Sequence, residues 1–421
     1  MKYTKWKSVV LWSIISAAFI GPGTVTTAVT AGSLFKLDLL WAITFATISC
    51  IILQEVAARI TIATGLNLGQ ALTVQFGPKR GQVYQYVIGG SVMAGCAAYE
   101  AGNILGAVSG IQLMIGGNSI AITIVICSLI FIVLWFGNPK WISTLMMLLV
   151  ISMGIAFFWL ASFHSFSFSH LGIATITPQI PLGSEMLVLG LVGTTIVPYN
   201  VFLGSGISKG QTVPLMRLGL TISVVIGGLI TAAILVAGTL IPRFSSFPEL
   251  LVVFKSKMGS SGSLALALGL FAAGFSSAIT SPFAASVITR TVFGVENKIH
   301  VRWVWGMVLL IGFIFGVSGI KPIPVILAVQ ALNGLVLPML TIFLVILAND
   351  SSLMPKTYHN SFLYNIAMLI ILATVLILGL SSVDKVLITS LKSSRTHFEI
   401  ILLVTVALVI YVGWRVLKKK N

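Results

Sequence analysis

The chain has 421 residues and a formal charge of +16, yet only 8% of its residues are charged, 57% are apolar, and its mean hydropathy is +1.08. Soluble domains carry about a quarter charged residues, so a water-soluble globular protein is excluded. Binding to nucleic acid is excluded as well, because the basic residues sit at the ends of apolar runs instead of forming one patch.

A membrane span needs about 20 apolar residues, and twelve runs qualify: 8–32, 38–62, 83–113, 119–136, 141–162, 184–206, 214–241, 262–290, 302–319, 322–348, 361–380 and 399–417. The start, Met1 to Ala18, imitates a cleaved signal peptide, but its apolar character continues to Ala31, which is too long for a signal core. It reads as span one of a single polytopic unit covering residues 1–421. Sixteen of the 25 Lys and Arg fall on the N-terminal side of the expected membrane, the bias of the positive-inside rule. The expectation is a multi-pass plasma (inner) membrane protein, a monomer, with both termini cytoplasmic and the lipid bilayer as its surroundings. The outer segments Arg243 to Lys257 and Lys385 to Arg395 are more basic than that rule prefers.

Span one is interrupted at Ile20-Gly21-Pro22-Gly23-Thr24, and span six at Ile196-Val197-Pro198-Tyr199-Asn200. Proline removes a backbone donor and clashes with the preceding turn, so it frees groups that lipid cannot satisfy. A matched pair of breaks points to the substrate site of a transporter built from inverted repeats. The breaks divide spans one to ten into two sets of five, about 8–162 and 184–348, with two extra spans at about 361–417. Five crossings invert the second copy relative to the first. The fold class is therefore all-α, a 5+5 inverted repeat with broken helices one and six. A single kink would be as easily a packing feature, but two in matching places favour a site.

Each break is followed by a half-helix whose unpaired amides carry a partial positive charge. Around the first lie Gly21, Gly23 and Thr24, and around the second Thr195, Val197, Tyr199 and Asn200. Helix N-termini of this kind favour negative or strongly dipolar ligands. In span ten, Gln330 and Asn333 are three apart and can face the same cavity, or serve as interhelical polar contacts. In span eight, Ser276, Ser277 and Thr280 offer hydroxyl oxygens for a coupling ion; the alternative is close packing of small residues.

Few ionisable residues enter the spans, and each is a functional candidate by default. Glu100 in span three is one; its alternative is a buried, neutral hydrogen-bonding residue. Glu55 and Arg59 are four apart, which favours an internal ion pair over substrate contact. Cys50, Cys96 and Cys127 read as small buried residues, and the five histidines fall in or near loops. No paired catalytic carboxylates, nucleophile with its base, phosphate-cradling loop or zinc spacing occurs, so neither an enzyme nor a resident cofactor or metal is expected.

The chain resembles the Nramp divalent-metal transporters over nearly its full length. Gly21-Pro22-Gly23-Thr24 stands where that family has Asp-Pro-Gly-Asn, and Val197-Pro198-Tyr199-Asn200 where it has Met-Pro-His-Asn. Supporting matches are Gln54-Glu55 to Arg59, Tyr99-Glu100-Ala101-Gly102, Ala273 to Thr280, and Gln330 to Pro338. The resemblance implies a LeuT-type fold with alternating access, a place for Glu100 on the family's proton route, and sodium ligation by span-eight hydroxyls with span-one carbonyls, as in LeuT-like transporters. It also implies that the metal-ligating Asp, Asn and Met are replaced here by Gly21, Thr24 and Val197.

A site of hydroxyls, a phenol and backbone groups compensates poorly for stripping water from a divalent ion. The expected cargo is therefore a small inorganic or organic anion, bicarbonate first, with sodium as coupling ion. Two alternatives stay open: a magnesium- or manganese-type cation carrier, and a non-transporting membrane sensor or scaffold.

Overall fold

Prolines and short polar side chains set where the helices of this computed structural model begin. It describes residues 4–163, 167–242, 244–391 and 397–420, excluding the side chains at 139, 168, 324, 327–328, 330–335, 385–387, 389–391 and 418–420. In chain order the helices are α1 Lys5–Phe19, α2 Pro22–Phe35, α3 Leu40–Thr64, α4 Leu68–Phe76, α5 Pro78–Ile115, α6 Ser119–Phe136, α7 Pro139–Ala161 and α8 Phe168–Ile176. They continue as α9 Glu185–Thr195, α10 Pro198–Ser208, α11 Val213–Gly238, α12 Phe247–Thr291, α13 Lys298–Val317, α14 Pro322–Ala348, α15 Phe362–Leu391 and α16 Phe398–Lys420. Proline opens α2, α5, α7, α10 and α14, where its missing N–H has no helical partner to lose. Asn67, Asn118, Asn138 and Asn297 cap α4, α6, α7 and α13 through their side-chain oxygens.

Among the described residues, nine helices are long and apolar enough to cross a membrane, and the bent pair α1–α2 makes a tenth. α5 and α14, with 38 and 27 residues, occupy the places of expected spans three and ten. The start of α1 meets the start of α11 through Ser8 and Leu215, and Arg217 and Tyr364 join the starts of α11 and α15 to Glu55 of α3. Arg415 near the C-terminus lies over the Phe76 ring at 5.5 Å, beside the start of α5. That end is called terminal below, and the opposite end distal.

Three stretches differ from the sequence reading. The outer segment before span eight is helical from Phe247, capped by Ser246 and opened by Pro248, and joins the span across Gly259 at φ 68°. That left-handed angle is open to glycine at little cost, so the kink sits there. Short helices α4 and α8 stand between expected spans, where no element was expected; local caps at Asn67 and Ser167 suffice to start them. α15 runs on to Leu391, past the expected end of span eleven at 380 and into the expected outer segment from Lys385. Arg243 and residues 392–396 of the expected outer segments lie outside the described residues.

Candidate functional site

α1 stops at Phe19 because Pro22 cannot continue it, and α2 leaves at 62° to α1. Ile20 and Gly21 between them are non-helical, with Gly21 extended at φ −102°. The last carbonyls of a helix have no partner within it. Here other elements supply partners. Ser277 donates to the carbonyls of Ala17 at 3.1 Å and Ala18 at 3.4 Å, Ser276 to Ala17 at 3.3 Å, and Tyr199 to Ala18 at 3.1 Å. Thr24 donates to the carbonyl of Phe19. A carbonyl carries no proton, so the direction of every one of these bonds is fixed.

The second interruption is organised differently. Ile196 and Val197 are non-helical and Pro198 restarts the helix, yet Glu185–Ser208 still passes as one apolar span. Thr194 and Thr195 both donate to the Leu191 carbonyl of their own helix, at 3.1 and 3.0 Å. Asn200 is wholly buried, and neither its Oδ1 nor its Nδ2 has a partner.

A cavity of about 20 Å³ lies between the breaks, lined by Ala18, Phe19, Gly21, Gly23, Thr24, Tyr99, Gly102, Asn103, Thr194, Val197, Ile326 and Val329. That volume admits about one water-sized body. Of the substrate-site residues expected from sequence, Gly21, Gly23, Thr24 and Val197 line it. Tyr199 stands behind, hydrogen-bonded to Ala18 and edge-on to Tyr99 at 5.6 Å. Thr195 and Asn200 are buried but do not line it. The side chains of Gln330 and Asn333 lie outside the described residues.

The span-eight trio divides: Ser276 and Ser277 meet α1, whereas Thr280 donates to the Ser276 carbonyl at 2.7 Å. Asn103 was missed in the sequence, although it follows Glu100 by three residues and so shares a helix face with it. Glu100 is fully buried, and both its carboxyl oxygens lack partners, as do Asn103 Nδ2 and Tyr99 Oη. Among the described residues, no group of three or more His, Cys, Asp or Glu could hold a metal ion.

At the terminal end, polar side chains of α1 bond to neighbouring elements. Ser8 donates to Gln211 Oε1 at 3.0 Å and to the Leu215 carbonyl at 2.7 Å, and Trp12 Nε1 donates to the same Gln211 oxygen at 3.3 Å. Ser13 reaches the Ser143 carbonyl at 3.2 Å, and Ser16 that of Ser223. Toward the distal end, the helices lining the small cavity also bound a void of about 1120 Å³, through Ser109 and Gln112 of α5 and Pro322 and Ile323 of α14. Glu55 pairs with Arg59 at 3.0 Å, as its spacing suggested, and also with Arg217 at 2.8 Å.

Two spans interrupted at matching places, with a small cavity between them, define a membrane transporter of the LeuT-type fold. The model of the Natural resistance-associated macrophage protein-like (Nramp) family matches residues 13–383, and the chain belongs to that family. It is similar in structure to a manganese transporter of Eremococcus coleocola in mutant form: TM-score 0.78, 17% identity, covering 100% of this chain and 97% of that one. The same transporter in complex with an aromatic bis-isothiourea compound aligns at TM-score 0.72, again with 17% identity and coverage of 100% and 97%. A nucleobase-cation-symport-1 family transporter, closed with bromovinylhydantoin bound, aligns at TM-score 0.57 and 14% identity, covering 97% of this chain and 92% of that one.

Proposed function

We propose that the protein is a secondary transporter of a hard divalent cation, of magnesium type, working by alternating access. The direction of hydroxyl donation at the first break carries this reading. Thr24, Tyr199 and Ser277 commit their protons to carbonyls of α1, and Ser276 shares its proton between the carbonyls of Ala17 and Ala273, so what remains on all four is oxygen lone pairs. The neutral donors behind the bicarbonate expectation are Thr24, Thr195, Tyr199 and Asn200; the first three give their protons to carbonyls, and Asn200, whose amide is unpartnered, does not line the cavity, which weakens the anion expectation. Family membership and the fold shared with a manganese transporter support a metal cation.

An oxygen set without thiolate, thioether or imidazole suits magnesium over softer ions, and magnesium keeps several of its waters. Glu100, buried one turn from the cavity-lining Asn103, is the carboxyl that a cation in the cavity would draw into its charged form. Sodium at Ser276, Ser277 and the carbonyls of Ala17 and Ala18 is a second reading of the same oxygens, favoured by the way both serines face α1. Proteoliposome flux tests both. Saturable magnesium uptake exceeding manganese uptake is expected, and a sodium gradient accelerates it if the serines hold sodium. Labelled bicarbonate uptake with no cation flux overturns the reading. Gly21→Asp adds a carboxylate whose Cβ meets Ser277 Oγ at 2.9 Å, and should tighten divalent-cation binding measured by calorimetry.

A further inference from the structure

At the terminal end, away from both breaks, a second ionic site is present. Glu55 on α3 accepts from Arg59 Nε at 3.0 Å, from Arg217 Nε at 2.9 Å and Nη2 at 2.8 Å, and from Tyr364 Oη at 2.8 Å. Two guanidinium groups share one carboxylate, which leaves a surplus positive charge. Arg59 is buried and fixed, with Nη1 donating to the Tyr358 carbonyl and Nη2 to Asn360 Oδ1. The Arg217 side chain is 55% exposed, and its Nη1 has no acceptor among the described residues.

Beside this cluster is a cavity of about 610 Å³, lined by Arg59, Arg217, Thr212, Thr357, Ser361 and neighbouring residues. Among the described residues no carboxylate lines it. Thr212 precedes the 26-residue α11 without capping it, so the first-turn amides on either side of Pro214 have no side-chain partner from it. The exposed Phe362 and Leu363 of α15 adjoin Ser361, which places apolar surface next to the polar cavity.

We propose that this cavity binds a phosphate group, from an anionic lipid head or a soluble phosphate. A guanidinium with an unused N–H, three hydroxyls and a surplus charge held in place by a buried arginine are the donors a phosphate needs. Basic pockets between helices near a membrane face take lipid headgroups by the same chemistry. The site is independent of the transported cargo, so its failure and that of the cation reading are separable.

The test uses the full-length protein in nanodiscs of phosphatidylcholine, with thermal unfolding as the readout. One arm titrates inorganic phosphate against chloride at matched ionic strength, and the other replaces part of the lipid with phosphatidylglycerol. A saturable rise in the unfolding midpoint is expected in at least one arm, and the arm identifies the source. The rise should vanish in Arg217→Gln and in Thr212→Glu; the second puts a negative charge in the cavity without touching the Glu55 pairs. Lys257→Gln, on the distal helix before Gly259, should keep it. No rise in either arm, or an equal rise in both cavity variants, overturns the proposal.

Discussion

The two interruptions are matched in sequence and unequal in structure. At the first, the carbonyls of Ala17, Ala18 and Phe19 receive hydroxyls from α2, α10 and α12, and the helix bends by 62°. At the second, Thr194 and Thr195 bond back within α9, and Asn200 is buried with both polar atoms unpaired. A buried polar group without a partner costs on the order of 1–3 kcal/mol. The freed carbonyls of the first break are thus satisfied, while the second keeps a buried polar side chain without a partner, outside the lining of the small cavity. An interrupted helix can have its freed groups satisfied by neighbours or leave polar groups open, and this pair divides the two behaviours.

The contrast can be broken most forcefully at Gly106. A Cβ there would lie 2.1 Å from Pro22 Cγ, a rigid ring at the heart of the first break. Gly106→Leu should therefore cost more than the 1–3 kcal/mol typical of overpacking, about the scale at which folded protein is lost. Thermal unfolding and yield in detergent check this; a parent-like midpoint would mean the first break is not rigid.

Next in size is the double variant Tyr199→Phe with Ser277→Ala, which strips both hydroxyl donors from the Ala18 carbonyl. It should lower stability by about 1–3 kcal/mol. Denaturant unfolding measures it, and an unchanged midpoint would show that the first break is not held by these bonds.

Asn200→Ala sharpens the other side of the comparison. Its side chain makes no hydrogen bond, so stability should change by less than about 1 kcal/mol, within the range of a mild substitution. Cation flux in proteoliposomes should fall clearly. Loss of stability with flux intact would reverse the roles assigned to the two breaks.

The smallest effect is expected at Gly204, one turn beyond Asn200. A Cβ there meets Gln54 Oε1 at 2.3 Å, but that atom is the unpartnered end of a flexible side chain that can move. Gly204→Ala should shift the unfolding midpoint only slightly, far less than Gly106→Leu.

Much of the fold was legible in the residues. Apolar run lengths are set by bilayer thickness, and prolines stop helices by local sterics, so spans and breaks could be read without tertiary information. Four lining residues, Gly21, Gly23, Thr24 and Val197, were legible for the same reason: they flank the breaks. The Glu55–Arg59 pair followed from helical spacing alone. The short helices α4 and α8 were not, because caps of a few residues compete with loop conformations that composition does not distinguish.

What the sequence by itself determined is where the chain can cross a membrane and where its helices must break, since both depend on neighbouring residues. Only the tertiary structure decided what those breaks face. Tyr199 and Ser277 are ambivalent groups, able to donate or accept, and helix packing brought them the α1 carbonyls to which they donate. The joining of Arg217 to Glu55 across 162 residues was likewise invisible in sequence, because nothing local encodes a contact between distant helices.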